Sequence, residues 1–389
     1  MQDSIRLAER MSMLGTESAF DVLVRARALE AQGRHVIHLQ LGEPDFDTPE
    51  HIVEAGVQAL RSGETHYTPA AGIPPLREAI AREISKTRGI VVGADQVVVT
   101  PGGKPIMFFA ILALAGPGDE VIYPDPGFPI YESVINFAGA TPVPLKLREE
   151  QGFSFAPEEL TALVTDRTRL VIINSPHNPT GGVVSGEALD ELARLAVEKS
   201  FIVMSDEIYS RILYEGHHES ITTRPGMLER TIILDGFSKT FAMTGWRLGF
   251  GVMPEALAQQ VTRLAINCNS CVPAFTQLAG VAALTGPQQP VERMVAEFRS
   301  RRDAIVAGLN DIPGVTCLTP PGAFYVFPNV SSFGQPAAAI ADRLLNEGGV
   351  ALVAGTAFGK AGEGYLRLSY ANSLENIEMA LERMREVLA

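Results

Sequence analysis

Six short runs of the sequence are apolar almost without interruption and rich in β-branched residues: "QVVVT" (96–100), "EVIYP" (120–124), "RLVIINS" (169–175), "FIVMSD" (201–206), "TIILDG" (231–236) and "WRLGFGV" (246–252). A strand with one wet face alternates polar and apolar residues. Runs without that alternation belong to strands covered on both faces, as in a parallel sheet with helices on either side. Between the third and fourth runs lies "GEALDELARLAVEKS", where Leu189, Leu192, Leu195 and Ala196 make one apolar helical stripe opposite a charged face. That is the crossover helix a parallel pair requires. The pattern predicts an α/β fold with a mostly parallel central sheet and helices on both faces.

A chain of 389 residues, 46% of them apolar, can bury one large core and a smaller one. The texture changes after residue 285, where a long amphipathic helix runs through Met294, Phe298, Ile305 and Leu309, and the chain closes on a helix with Ile377, Leu381, Met384 and Leu388 inward. We therefore expect a large domain over 50–285, and a smaller α+β domain over 286–389 joined by residues 1–49 as an N-terminal arm. In that arm, a helix over about 18–31 is expected to precede an extended piece through Leu41. Arg301 and Arg302 are expected on the solvated side of the long helix.

The formal net charge of −13 argues against a nucleic-acid partner, because such binding rests on clustered Lys and Arg. The longest greasy stretch, "IMFFAILALAG" (106–116), is far short of the roughly 20 residues that span a membrane and reads as a buried helix. The opening "MQDSIRLAERMSML" has no continuous apolar segment of the secretory kind, so a cytoplasmic protein with no membrane partner is expected. Cys268 and Cys271 in "CNSC" lack a second pair and read as small packing residues. His217 and His218 in "EGHHES" lack a further ligand at metal spacing and read as exposed loop residues.

In parallel α/β sheets, ligands collect at the carboxyl ends of the strands, so the residues just past each run carry the functional information. After "QVVVT" come Gly102, Gly103 and Lys104, opening a helix whose free N–H groups and positive dipole end suit an anion. After "RLVIIN" comes "SPHNPTGG" (175–182), whose prolines and glycines fix a turn and aim Asn178. After "FIVMS" come Asp206 and Tyr209; a carboxylate at the end of a buried strand needs a positive partner. After "TIILDG" come Ser238, Lys239 and Arg247. Taken singly, these are a strand-to-helix turn, an ordinary loop and a helix cap. Together they describe a receptacle for a phosphate, for a ring that needs a carboxylate, and for an aldehyde that an amine can capture.

These stretches, with "LGEPDFDTP" (41–49), "HYTPAAGIPPLREAI", "SKTFAMTGWRLGF", "GAFYVF" and "LRLSYA", occur in the order seen in one family. The chain resembles the class I aminotransferases of fold type I, which depend on pyridoxal 5'-phosphate, and within them the bacterial aspartate-aminotransferase-like subgroup. The resemblance implies that Lys239 carries the cofactor and moves a proton, with Asp206 on the ring nitrogen and Asn178 and Tyr209 on the ring oxygen. It further implies that Gly102, Gly103, the Lys104 backbone, Ser238 and Arg247 hold the phosphate, and that Phe128 stacks on the ring. Tyr67 would reach the phosphate of a neighbouring subunit, making the active unit a homodimer. Arg367, helped by Gly42 and Asn178, would grip the α-carboxylate of an amino acid or 2-oxo acid, and Lys104 would face the distal carboxylate of aspartate or glutamate.

The resemblance thins at Phe128, where the aspartate enzymes carry tryptophan, and at "GTESAF" (15–20), where Ala19 replaces an expected hydroxyl. Asn269 and Ser270 could approach the side chain across a dimer. Three readings follow: an aminotransferase with dicarboxylic or other donors, a lyase, racemase or decarboxylase using the same cofactor residues, and a non-catalytic ligand sensor.

Overall fold

The computed structural model describes residues 5–389; residues 1–4 of the N-terminal stretch lie outside the described residues. The first strand, β1 (Ile37–His38), stands apart from the seven that form the main sheet. Those are β2 (Val97–Thr100), β3 (Glu120–Asp125), β4 (Thr141–Lys146), β5 (Thr168–Asn174), β6 (Ile202–Asp206), β7 (Thr231–Gly236) and β8 (Gly249–Val252). Their order is β2-β8-β7-β6-β5-β3-β4. All run the same way except β8, which is antiparallel to both β2 and β7. The link from β7 to β8 holds no helix, so the chain turns straight back instead of crossing over.

Strands β2, β3 and β7 are buried along their whole length, as unbroken apolar runs require. The sixth run begins pairing only at Gly249, because Trp246 and Arg247 lie in the preceding turn, where Arg247 has φ 54°. Strand β4 has no apolar run: "TPVPLK" carries two prolines and is largely exposed. Proline is tolerated there because β4 is the sheet edge and pairs with β3 alone. The crossover helix Gly186–Lys199 buries Leu189, Leu192, Leu195 and Ala196, with Ser185 capping it by accepting from the Ala188 N–H.

Beyond the main sheet, β1 pairs in parallel with β10 (Val350–Ala351). Strands β9 (Tyr325–Val326), β11 (Val353–Ala354) and β12 (Leu366–Ser369) form an antiparallel sheet in the order β11-β12-β9. A second core gathers on these strands around Phe298, Phe324 and Tyr370, all at 0% exposure. The helix Ser18–Glu30 packs beside it through Ala26, against Val36, Leu345 and Ala351. Just before that helix, the Gly15 N–H reaches instead to Ser133 Oγ at 2.9 Å, on the helix Ile130–Phe137 of the main sheet.

Arg301 and Arg302 are not solvated: only 6% and 5% of each is exposed. The helix Gln289–Asn310 buries Met294, Phe298, Arg301, Arg302, Ile305 and Leu309, one wide stripe in which both arginines fall by spacing. Arg301 donates to Asp45 at 2.7 Å and lies 4.9 Å from the Phe46 ring centre, while Arg302 lies 4.8 Å from that of Tyr214. Their long stems pack as apolar groups, and the guanidinium planes stack on aromatic faces.

Candidate active site

The carboxyl ends of β2, β5, β6 and β7 lie on one edge of the sheet, together with the start of β8. A cavity of about 460 Å³ opens there against β12 and the start of the helix Ser18–Glu30. At its corner β2 delivers the chain to the helix Lys104–Leu114 through Gly102, with φ 87°, and Gly103. A Cβ on Gly102 would sit 2.4 Å from Arg247 Nη2, so the guanidinium packs directly on the bare glycine backbone. Arg247 is further held by donating to the Thr244 carbonyl at 2.8 Å, and Ser238 lines the same cavity. A helix N-terminus, a guanidinium and a hydroxyl at one corner suit a phosphate monoester.

Asp206 ends β6 and is 8% exposed. Its Oδ2 accepts from the Tyr131 hydroxyl at 2.5 Å, and Oδ1 from the Ile208 N–H at 3.3 Å. Burial raises its carboxyl to about 6, although the Tyr131 hydrogen bond and the nearby Lys239 ammonium pull it down. Such a carboxylate is ready to pair with a ring cation, which would bring it back to full ionisation.

Lys239 enters from the β7–β8 link and donates to the Gly42 carbonyl, with Nζ 5.9 Å from the centre of the Phe324 ring. Burial lowers its pKa to about 8; Glu43 and Glu17 oppose the shift, while Arg247 and Arg367 deepen it. A lysine held near neutrality is nucleophilic enough to capture an aldehyde and can act as a base.

Arg367 on β12 is 3% exposed and lies between the rings of Tyr325 and Phe358, at 4.8 and 5.0 Å from their centres. It donates to the Gln40 carbonyl through Nη2 and to Asn178 Oδ1 through Nη1 at 3.5 Å, whereas Nε is buried without a partner. A carboxylate is the group that satisfies such a fork. Asn178 is steadied by Asn174, whose Oδ1 accepts from the Asn178 N–H at 2.8 Å and whose amide donates to the Asp206 carbonyl at 2.9 Å. The hydroxyls of Tyr209 and Tyr325 lie 2.7 Å apart, and burial, with Tyr325 beside it, lifts the Tyr209 pKa well above its ordinary value.

The cavity thus brings together Gly42, Gly103, Lys104, Phe128, Asn178, Asp206, Tyr209, Ser238, Lys239, Arg247 and Arg367, with Gly102 behind Arg247. Tyr67 lies outside it, 92% exposed. Phe128 packs edge-on to Tyr131 at 5.7 Å, and Lys104 Nζ stands 5.5 Å from its ring centre. Sequence reasoning did not single out Tyr131, Tyr325 or Gln40. Tyr325 stands inside the quoted "GAFYVF" and Tyr131 three residues past Phe128, so the available signal was a tyrosine within or just after a stretch already singled out.

His218 also departs from expectation. Its side chain is 8% exposed, with Nε2 3.0 Å from Glu207 Oε2. His217 remains exposed. Glu207 also accepts from Arg88 Nε at 2.7 Å, and Arg88 Nη2 reaches Asp235 at 3.2 Å. Burial alone would raise the Glu207 carboxyl, yet His218 and Arg88 hold it well below the usual range. Burial wins at Asp235, lifting it to about 7 despite Arg88. The loop lacked ligands for a metal, but a carboxylate eleven residues back in the chain draws its second histidine inward.

A parallel α/β sheet whose carboxyl edge carries an anion corner, a buried acid and a near-neutral lysine defines an enzyme of the pyridoxal-phosphate kind. The chain belongs to the family described as aminotransferase class I and II, whose family model matches residues 34–384. It is 41% identical to an aspartate aminotransferase of Pyrococcus horikoshii, over 98% of this chain and 97% of that one. It is 39% identical to aromatic-amino-acid aminotransferase 2 of Thermococcus litoralis, over 98% of both. The aspartate aminotransferase of Thermus thermophilus, solved with maleate, superposes with a TM-score of 0.93 at 40% identity, covering 98% of this chain and 99% of that one. The protein is an aminotransferase dependent on pyridoxal phosphate, with the fold expected from its six apolar runs.

Proposed function

We propose that the protein moves the α-amino group of an acidic L-amino acid, aspartate or glutamate, to a 2-oxo acid in two half-reactions. The observation that carries this reading is a pair of cations lining one cavity with Lys239: the Arg367 fork and the Lys104 ammonium. Two carboxylates on one substrate match two such cations. The relatives named for aspartate support the same choice.

The bound cofactor supplies an electron-withdrawing ring that stabilises negative charge at the substrate Cα. Lys239 anchors it and then carries the proton on and off Cα, a task for which an amine with pKa near 8 is suited. Asp206, fixed by Tyr131, would pair with the ring nitrogen and favour its protonated form. Asn178 and Tyr209 would hold the ring oxygen, Phe128 would stack on the ring, and Gly102, Gly103, Ser238 and Arg247 would hold the phosphate. Arg367, with Asn178, orients the α-carboxylate so that the Cα proton faces Lys239.

The working unit is a cytoplasmic homodimer in which the exposed Tyr67 reaches the partner's phosphate site. A panel of donors tests the substrate choice. Aspartate and glutamate should exceed alanine and phenylalanine in kcat/KM, and Lys104→Met should erase that margin. Equal rates with alanine, unchanged in Lys104→Met, would refute it.

A further inference from the structure

Glu17 immediately precedes the helix Ser18–Glu30 and caps nothing: its side chain makes no hydrogen bond to the helix. Its carboxylate instead pairs with Lys104 Nζ, the one polar partner of that side chain among the described residues. The Glu17 side chain is 19% exposed, and it lines the cavity together with Lys104, Phe20, Met107 and Phe128. Its charge also reaches inward. Burial lowers the proton affinity of Arg367 as it does that of Lys239, and Glu17 is among the groups opposing the shift at both.

We infer that Glu17 determines substrate choice: it is an internal carboxylate that occupies Lys104 and competes for it with the second carboxylate of a dicarboxylic substrate. The inference rests on Lys104 being the distal contact, as proposed above. With Glu17 on Lys104, that wall of the cavity carries no net charge, and Phe20, Met107 and Phe128 give it an apolar lining. A monocarboxylic substrate with an uncharged side chain then meets no unpaired charge. A dicarboxylate competes with Glu17, because the single positive charge of Lys104 offsets only one of the two carboxylates and the second is left against a like charge. Transamination requires one site to take a donor and an acceptor in turn, and this pair gives that site two charge states.

The test uses the cofactor-loaded enzyme and two unreactive probes, succinate and 4-methylvalerate, with Kd read from calorimetry. In Glu17→Gln the ratio of the succinate Kd to the 4-methylvalerate Kd should fall by about tenfold or more. In Lys104→Met the ratio should rise, because Glu17 is left unpaired against the second carboxylate, and adding Glu17→Gln should lower it again without reaching the value of Glu17→Gln alone. A ratio unmoved or raised in Glu17→Gln, while aspartate still donates its amino group, overturns the role of Glu17 alone. Failure of wild type and variant alike to bind succinate overturns it together with the reading of Lys104.

Discussion

Replacing Asp206 by Asn should strengthen the cofactor-free protein and weaken the loaded one. Asp206 is 8% exposed, and burial lifts its carboxyl from an ordinary 3.8 to about 6. Two pKa units correspond to about 3 kcal/mol, which the folded protein spends holding that charge at pH 8. The pH dependence has a definite sign. Above about 6 the carboxyl is ionised folded and unfolded, so the full penalty stands. As pH falls from about 6 towards 3.8, the folded state takes up the proton first, and the penalty shrinks until both forms are neutral. The amide is neutral throughout. In urea unfolding of cofactor-free protein, Asp206→Asn should exceed wild type by up to about 3 kcal/mol at pH 8, with the gap closing towards pH 4. With cofactor bound the order reverses, because the amide cannot pair with the protonated ring. Loss of one partner of a buried pair costs about 3–5 kcal/mol, which slows amino transfer by about two to four orders of magnitude. A cofactor-free variant less stable than wild type at pH 8, or a gap that widens on acidification, would refute the reasoning.

Two further substitutions probe the frame around the site. Arg88→Met strands Glu207 and Asp235, whose side chains are 0% and 11% exposed, and should lower unfolding free energy by about 3–5 kcal/mol at pH 8; a loss below 1 kcal/mol would refute Arg88 as the counter-charge that holds the two buried carboxylates. Gly102→Ala forces a side chain into φ 87° and against Arg247 Nη2, a strain of about 1–3 kcal/mol, so phosphate-ester affinity in equilibrium dialysis should fall by about tenfold or more. Unaltered affinity would remove that corner as the phosphate site.

What could be read in advance divides along physical lines. The unbroken runs at 97–100, 120–125 and 231–236 are legible because burial on both faces leaves no room for alternation. Asp206, Lys239 and the Gly102–Gly103 turn are legible because a parallel sheet sends its strand ends to one edge. Strand β4 is not, since an edge strand with prolines has neither an apolar run nor a period. Arg301 and Arg302 share by spacing the face of Phe298 and Ile305, but their charge disguises them, and the partners that allow their burial come from other segments; His218 lies in a loop that has no period to read. Arg301 meets Asp45 across 256 residues of chain, and Lys104 meets Glu17 across 87. The hydroxyls of Tyr131 and Tyr325 likewise acquire meaning only from Asp206 and Tyr209, which tertiary packing brings to them.

The central claim is that Lys239 is spent as the covalent anchor of the cofactor. Borohydride reduction of the loaded protein, followed by digestion and peptide mass mapping, tests it most directly. One reduced cofactor adduct, on Lys239, with none in Lys239→Ala, is the predicted result. An adduct on Lys104 instead, or amino transfer that survives in Lys239→Ala, would contradict the account.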